Sequence, residues 1–295
     1  MERGAAMIRL AMGAALLMAL PASAQTLEAR IGRYDPAKAR ELSAVHGGAG
    51  TMRFAGLLGP EALSTNLIFV HRGVIAPKSS IGQHFHNQCE EMFVILDGEA
   101  QFTIDGRTST IKGPAAVPDR MGHSHAIYNP TDKPLQWLNI NVGVTKSYDN
   151  FDLGDTREGA ALDRVPQFVS MRFDRALLKP VEGSTGVLGR RALGPEIFST
   201  TWTYVDHLLL QPGARSAPAA APGMSEMLYV MSGAGEIEVA GERAAIREGD
   251  AIPVEVGQAR AIRQTGDAPL ELMVVGVARD QAAKAAFAAA ARARR

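Results

Sequence analysis

The residues of this chain best able to do chemistry crowd into one stretch, His84-Phe85-His86-Asn87-Gln88-Cys89-Glu90-Glu91. Residues two apart on an extended strand point to the same face, so His84 and His86 can share one ion as a chelating pair. Glu91 follows a short loop and opens the next apolar run, in which Glu91, Phe93 and Ile95 face one way. Far along the chain, Gly122-His123-Ser124-His125-Ala126-Ile127-Tyr128-Asn129 offers a further imidazole, His125, with His123 two residues before it. Imidazole and carboxylate are donor types of divalent transition-metal sites. Cys89 lies in the same loop, either as a redox-active thiol or as a small buried residue; outside the metal site nothing cationic stands by to lower its pKa, which favours the second. His46, His71 and His207 have no ligand spacing and read as structural.

The elements that must carry these side chains are short. Apolar runs such as Met92 to Leu96, Gln101 to Ile104 and Trp137 to Val142 are separated by Asp97-Gly98, Asp105-Gly106 and Asn129-Pro130, which predicts antiparallel strands of a sandwich or barrel. The pattern occurs twice at a fixed offset of 135 residues: Leu58-Gly59-Pro60-Glu61 returns as Leu193-Gly194-Pro195-Glu196, Glu91-Met92 as Glu226-Met227, Gly98 as Gly233, Pro118 as Pro253 and Gly122 as Gly257. A repeat of this length is a duplicated domain rather than a solenoid unit. Asp35 to Val45 and the Ala/Arg-rich Gln281 to Arg295 have helix-forming composition and read as accessory elements. The expected organisation is a leader at 1–24, a first domain at 25–146, a linker at 147–182, a second domain at 183–280 and a tail at 281–295.

Lys plus Arg and Asp plus Glu number 31 each, so no net field draws the chain to nucleic acid or to an anionic membrane. Arg3 and Arg9 precede an apolar run from Leu10 to Leu20, and Ala22-Ser23-Ala24 follows, the small-x-small ending of a secretory leader. That run is about half the roughly 20 residues a membrane-spanning helix needs. Cleavage after Ala24 and a soluble, periplasmic or secreted protein are the expectation. With Cys89 the only cysteine, stability must come from packing rather than an intrachain disulfide.

The two stretches resemble the motifs of the cupin superfamily, similar to G-x5-H-x-H-x4-E-x6-G and G-x5-P-x-G-x2-H-x3-N. His84, His86, Glu91 and Gly98 meet the first, and Pro118, Gly122, His125 and Asn129 the second. Lys78 stands where the family has glycine, and three residues rather than one separate Pro118 from Gly122, a departure repeated at Pro253 to Gly257. The resemblance implies an all-β chain of two tandem cupin barrels (double-stranded β-helix or jelly roll) with short accessory helices. It also implies one divalent transition metal, Fe, Mn, Cu, Ni or Zn, on His84, His86, Glu91 and His125. Glu90 is the competing carboxylate, but only Glu91 keeps the six-residue gap to Gly98 and a counterpart in Glu226.

At the 135 offset the three histidines become Ala219, Ala221 and Arg260 while Glu226 remains, so the second barrel is expected to lack metal. Its Arg260 either pairs with Glu226 inside the old site or points to solvent. One metal-binding and one degenerate cupin in an exported chain resemble the quercetinase-type bicupin dioxygenases. The resemblance implies an oxidoreductase acting on a small enolisable or phenolic compound, with Glu91 as base and Phe85, Phe93, His123 and Trp137 lining the substrate pocket. A non-redox lyase, isomerase or hydrolase of a sugar or organic acid, and a non-catalytic metal-dependent binding protein, stay open. A small molecule is the expected partner, with a homodimer left open.

Overall fold

The computed structural model describes residues 25–154, 159–163 and 167–293; the expected leader lies outside the described residues. The first copy contains β1 (Arg40–Ser43), β2 (Thr51–Leu58), β3 (Leu67–Ile75), β4 (Ser80–Phe85), β5 (Cys89–Ile95) and β6 (Glu99–Ile104). It continues with β7 (Arg107–Lys112), β8 (Ala115–Asp119), β9 (His125–Tyr128), β10 (Leu135–Gly143), β11 (Phe151–Asp152) and β12 (Met171–Arg172). Two antiparallel sheets result, in the orders β1-β2-β3-β10-β5-β8-β12 and β11-β4-β9-β6-β7. The hairpin between β6 and β7 turns on Asp105 (φ 49°) and Gly106 (φ 77°), the positive pair that a two-residue turn of this hand requires.

The second copy holds β13 (Lys179–Pro180), β14 (Thr185–Leu193), β15 (Trp202–Arg215), β16 (Met224–Ser232) and β17 (Ala234–Val239). Then come β18 (Glu242–Arg247), β19 (Ala251–Val254), β20 (Arg260–Gln264) and β21 (Leu270–Ala278). Here β15 runs unbroken through the corner that separates β3 from β4 in the first copy, so one nine-stranded sheet replaces two. At that corner Gly213 has φ 76° and its repeat counterpart Lys78 has φ 54°. Both take the left-handed conformation, which costs a residue with a Cβ roughly 1 kcal/mol and a glycine almost nothing.

Strand β5 is buried along its whole length, because both of its faces are covered. Phe93 and Ile95 enter the first barrel's interior with Phe102, Ile127 and Trp137. Met92 and Val94 turn the other way, into a core shared with Val205, Met227, Tyr229 and Val275 of the second barrel. The second barrel has its own interior core around Leu228, Ile237, Ile252 and Leu272. Polar contacts cross the shared face reciprocally: Glu90 accepts from Ser199 N, Thr200 N and Thr200 Oγ1 at 2.7–2.8 Å, and Thr65 meets Ser225 at 2.6 Å.

Two expected boundaries change. Residues assigned to the start of the first domain lie on the second barrel: α1 (Leu27–Arg30) takes a bond from Leu27 N to Glu242 Oε2, Gly32 bridges Ala251, and Arg33 pairs with Asp250 at 2.5 Å. The segment from 147 onward is more than a linker, since β11 extends the sheet of β4 and β12 that of β8. The tail is α2 (Gln281–Ala293) and packs over the second barrel, with Phe287 5.3 Å from Tyr204. Among the described residues no helix is long and apolar enough to cross a membrane.

Inside the second barrel Arg260 donates to Glu226 from Nε at 2.6 Å and from a terminal nitrogen at 3.2 Å, and Tyr204 donates to Glu226 at 2.7 Å. Both members of the ion pair are buried. Arg260→Ala would leave a buried carboxylate with one neutral donor, so unfolding experiments should show a loss of about 3 kcal/mol or more. A shift below about 0.5 kcal/mol would mean that the pair contributes nothing inside the barrel.

Candidate metal centre

Alternation along β4 and the turn after it sends His84 and His86 into the first barrel, β5 contributes Glu91, and β9 pairs His125 directly with His84. One donor atom from each of the four lies within 4.8 Å of the others, and all four side chains are buried. Each imidazole donates Nδ1–H to a backbone carbonyl: His84 to Gly82 at 2.9 Å, His125 to His123 at 3.3 Å, and His86 to Asp149. This assigns the tautomers and leaves the Nε2 lone pairs for an ion. Nε2 of His86 and of His125 are buried without a hydrogen-bond partner, 3.5 and 3.6 Å from Glu91. Buried orphan nitrogens facing a carboxylate fit a divalent transition metal.

Glu91 is held from β10. Asn141 Nδ2 donates to Oε1 at 3.0 Å and Asn139 Nδ2 to Oε2 at 3.2 Å. The two asparagines interrupt an apolar strand at period two, a signal present in Trp137-Leu138-Asn139-Ile140-Asn141-Val142 that motif reading passes over. Glu90 faces the other barrel, which removes it as a ligand. A second grouping, His86, Cys89 and Asp149, shares His86, but there the ring already donates to the Asp149 carbonyl.

Asp119 has no sequence signal beyond the two extra residues between Pro118 and Gly122. It stands opposite Glu91 in the β5–β8 register, buried, with neither carboxylate oxygen hydrogen-bonded. Burial pushes its pKa up to about 7, against the opposing pull of His125. At its repeat position the second barrel has Val254.

The expected pocket residues divide. Phe93 lies 6.0 Å from His125, and Trp137 lies 6.0 Å from Phe93, one layer deeper in the core. Phe85, between two inward histidines, faces the other side of β4 and stacks on Phe151 at 5.0 Å. His123 turns outward to Asp105 at 2.6 Å, because the spacing that aligns it with His125 holds only on a strand and β9 begins at His125. Two histidines read as structural stand closer: His46 stacks on His84 at 3.9 Å while its Nδ1 meets Asp152 at 2.6 Å, and His71 lies against Phe69 at 4.0 Å. His207 is buried in the second barrel with Glu271.

Without metal the cluster carries protons. Burial opposes charge on His86, but the neighbouring Cys89 and Glu91 outweigh it and raise the pKa to about 11. Burial likewise opposes charge on His125, and Asp119 and Glu91 raise it. Burial and the neighbouring His125 take His84 down to about 2, so His84 is neutral. A metal ion needs neutral imidazoles, so its binding at pH 7 must expel the His86 proton, and its apparent affinity should rise with pH. Titration calorimetry in buffers of different ionisation enthalpy should show net proton release and about one ion per chain, lost in His86→Ala. Binding without proton release would contradict this electrostatic picture.

The cupin-domain family model matches residues 71–141 and again 206–276, and the two segments begin 135 residues apart. An oxalate-binding protein of Thermotoga maritima is 32% identical over 101 residues, 34% of this chain and 84% of that protein. Among solved structures, oxalate decarboxylase from Bacillus subtilis superposes with a TM-score of 0.61 at 17% identity, covering 84% of this chain and 76% of that one. Salicylate 1,2-dioxygenase from Pseudaminobacter salicylatoxidans gives 0.58 at 16% identity, covering 76% of each. At these identities the two enzymes share the fold with this chain. The chain belongs to the cupin family and is a bicupin, with a complete histidine–glutamate cluster in its first domain and an arginine–glutamate pair at the same place in its second.

Proposed function

We propose that the first barrel is the centre of a dioxygenase-type oxidoreductase acting on a small enolisable or phenolic compound, with one divalent transition metal on His84, His86, Glu91 and His125. The observation that carries this reading is the character of the wall. Rings succeed one another outward from the cluster: Tyr148 lies 5.2 Å from His86, Phe69 5.6 Å from Tyr148, His71 4.0 Å from Phe69, and Phe54 4.9 Å from His71. No Lys or Arg among the described residues bonds to any of the four cluster residues, and Arg40 lies over Phe54 at the far end of the series. A dianionic substrate would face Glu91 and Asp119 with the bound ion itself as its compensating cation, whereas a neutral phenol or enol would need no such compensation.

A bound transition ion would supply Lewis acidity toward a substrate hydroxyl and, if redox-active, electrons for dioxygen. The protein's own part is orientation and proton handling. Asn139 and Asn141 hold both oxygens of Glu91, which makes it a poor proton acceptor despite its expected role as base. Asp119, with both oxygens unbonded, is better placed to take the substrate proton. The burial of the site keeps bulk water from competing.

A second reading, binding or non-redox cleavage of a small dicarboxylate, is favoured by the relative described as an oxalate-binding protein. Dioxygen uptake by metal-loaded protein across flavonols, catechols, diketones, keto-sugars and oxalate, beside an anaerobic panel, separates the two. Oxygen-dependent turnover of a phenolic or enolic member is expected, with Asp119→Asn lowering kcat by about 10²-fold at unchanged metal content. Equal turnover without oxygen would replace this reading by lyase or isomerase chemistry, and binding without turnover in either atmosphere would replace it by a binding role.

A further inference from the structure

We propose that Tyr148 contacts the substrate and sets a preference of the first barrel for planar conjugated ligands. The inference rests on the reading of that barrel as a metal-centred site for such compounds, and it comes from comparing the mouths of the two barrels.

In both copies the chain leaves the last barrel strand and crosses the mouth, and in both a lysine pins it to the same loop. Lys146 Nζ donates to the carbonyls of Leu63, at 2.5 Å, and Pro60; Lys284 Nζ donates to those of Phe198 and Thr200 at 2.6 Å each. Phe198 occupies the repeat position of Leu63. Each crossing segment then lays an aromatic ring on the same wall position: Tyr148 lies 5.6 Å from Phe69, and Phe287 lies 5.3 Å from Tyr204, the counterpart of Phe69.

The two segments otherwise diverge with the content of the barrel. Over the second barrel the segment is the helix α2, and Phe287 stands against Arg191 at 4.7 Å, where the barrel has an arginine–glutamate pair in place of the imidazoles. Over the histidine cluster the segment runs extended. Asp149 fixes it, its carboxylate accepting from Asn87 N at 3.0 Å and Gln88 N at 3.2 Å and its carbonyl from His86; β11 then pairs with β4. This path brings the Tyr148 ring to 5.2 Å from that of His86 and to 5.6 Å from that of Phe69, which with His71 lines a cavity of about 420 Å³.

Tyr148 itself is 40% exposed, and its hydroxyl makes no hydrogen bond to any described residue. The backbone on either side is tied down while the ring is held by packing alone, so its exposed part and the hydroxyl are available to a ligand. A flat conjugated molecule approaching the cluster past Tyr148 would lie along Phe69 and Tyr148, gaining offset or edge-on ring contacts that a small dicarboxylate cannot make. In the second barrel Phe287 has no cluster beneath it and lines, with Tyr204 and Glu226, a cavity of about 1680 Å³.

The test is binding of 4-nitrocatechol to the metal-loaded full chain without oxygen, monitored by its absorbance and by calorimetry, with oxalate as the second probe. Tyr148→Ala and Tyr148→Leu should each raise the Kd for 4-nitrocatechol about tenfold, and Tyr148→Phe should change it less than about threefold. Oxalate affinity, where present, should move less than about twofold, and metal content should stay constant. Absence of 4-nitrocatechol binding to the unaltered protein, equal binding by all variants, parallel weakening of both probes, or loss of metal from the variants would each overturn the proposal. Because no turnover is needed, Tyr148-dependent binding without oxygen uptake would refute the dioxygenase reading and leave this one standing. Oxygen uptake with binding indifferent to Tyr148 would do the reverse.

Discussion

The structure of the first barrel depends on the direction of three N–H bonds. His84, His86 and His125 each give Nδ1–H to a backbone carbonyl, so each ring is oriented before any ion arrives and each Nε2 is turned to one point. Two of those carbonyls are local, two residues from the ring they hold. The third belongs to Asp149, on the segment that crosses the barrel mouth, which ties the geometry of the cluster to the path of the chain after β10. Glu91 completes the set under the same logic, with the amides of Asn139 and Asn141 fixing its two oxygens. Four donors buried in an apolar barrel, two of them orphaned, are costly unless an ion is bound, and that cost is the physical reason to expect a metal centre.

Duplication allowed the second copy to solve the same problem differently. With two imidazoles replaced by alanine, Glu226 would keep only the neutral Tyr204 hydroxyl, and Arg260 at the third histidine's position provides a cationic partner in a two-pronged geometry. The shared face constrains both copies: Glu90 and Glu91 are neighbours in sequence, yet one caps the other barrel's backbone and the other faces the cluster, because strand alternation sends them to opposite sides. A shift of one residue in the register of β5 would exchange these carboxylates and lose both functions at once.

The fold was legible because glycine, proline and apolar periodicity recur at one offset, and so were the four cluster residues, whose spacing on strands survives without tertiary information. The pocket was not. Phe85 adjoins two ligands and His123 has strand spacing to His125, but alternation on β4 and the late start of β9 turn both away. Asp119, His46 and Tyr148 reach the site through β8 register, through a left-handed turn at His46 (φ 52°), and through the crossing segment read as a linker. None of these approaches has a local signature. Asn139 and Asn141 did have one, polar residues at period two within a buried strand.

The central claim is that a single ion sits on three imidazoles and one carboxylate in the first barrel. X-ray absorption of the metal-loaded protein tests it most directly, since imidazole rings leave a multiple-scattering pattern and sulfur a longer, stronger scattering shell. Nitrogen and oxygen neighbours alone are expected, at about 2.0–2.2 Å, with the imidazole contribution reduced in His125→Ala. A sulfur neighbour near 2.3 Å would place the ion on Cys89 in the grouping with His86 and Asp149 and would contradict it.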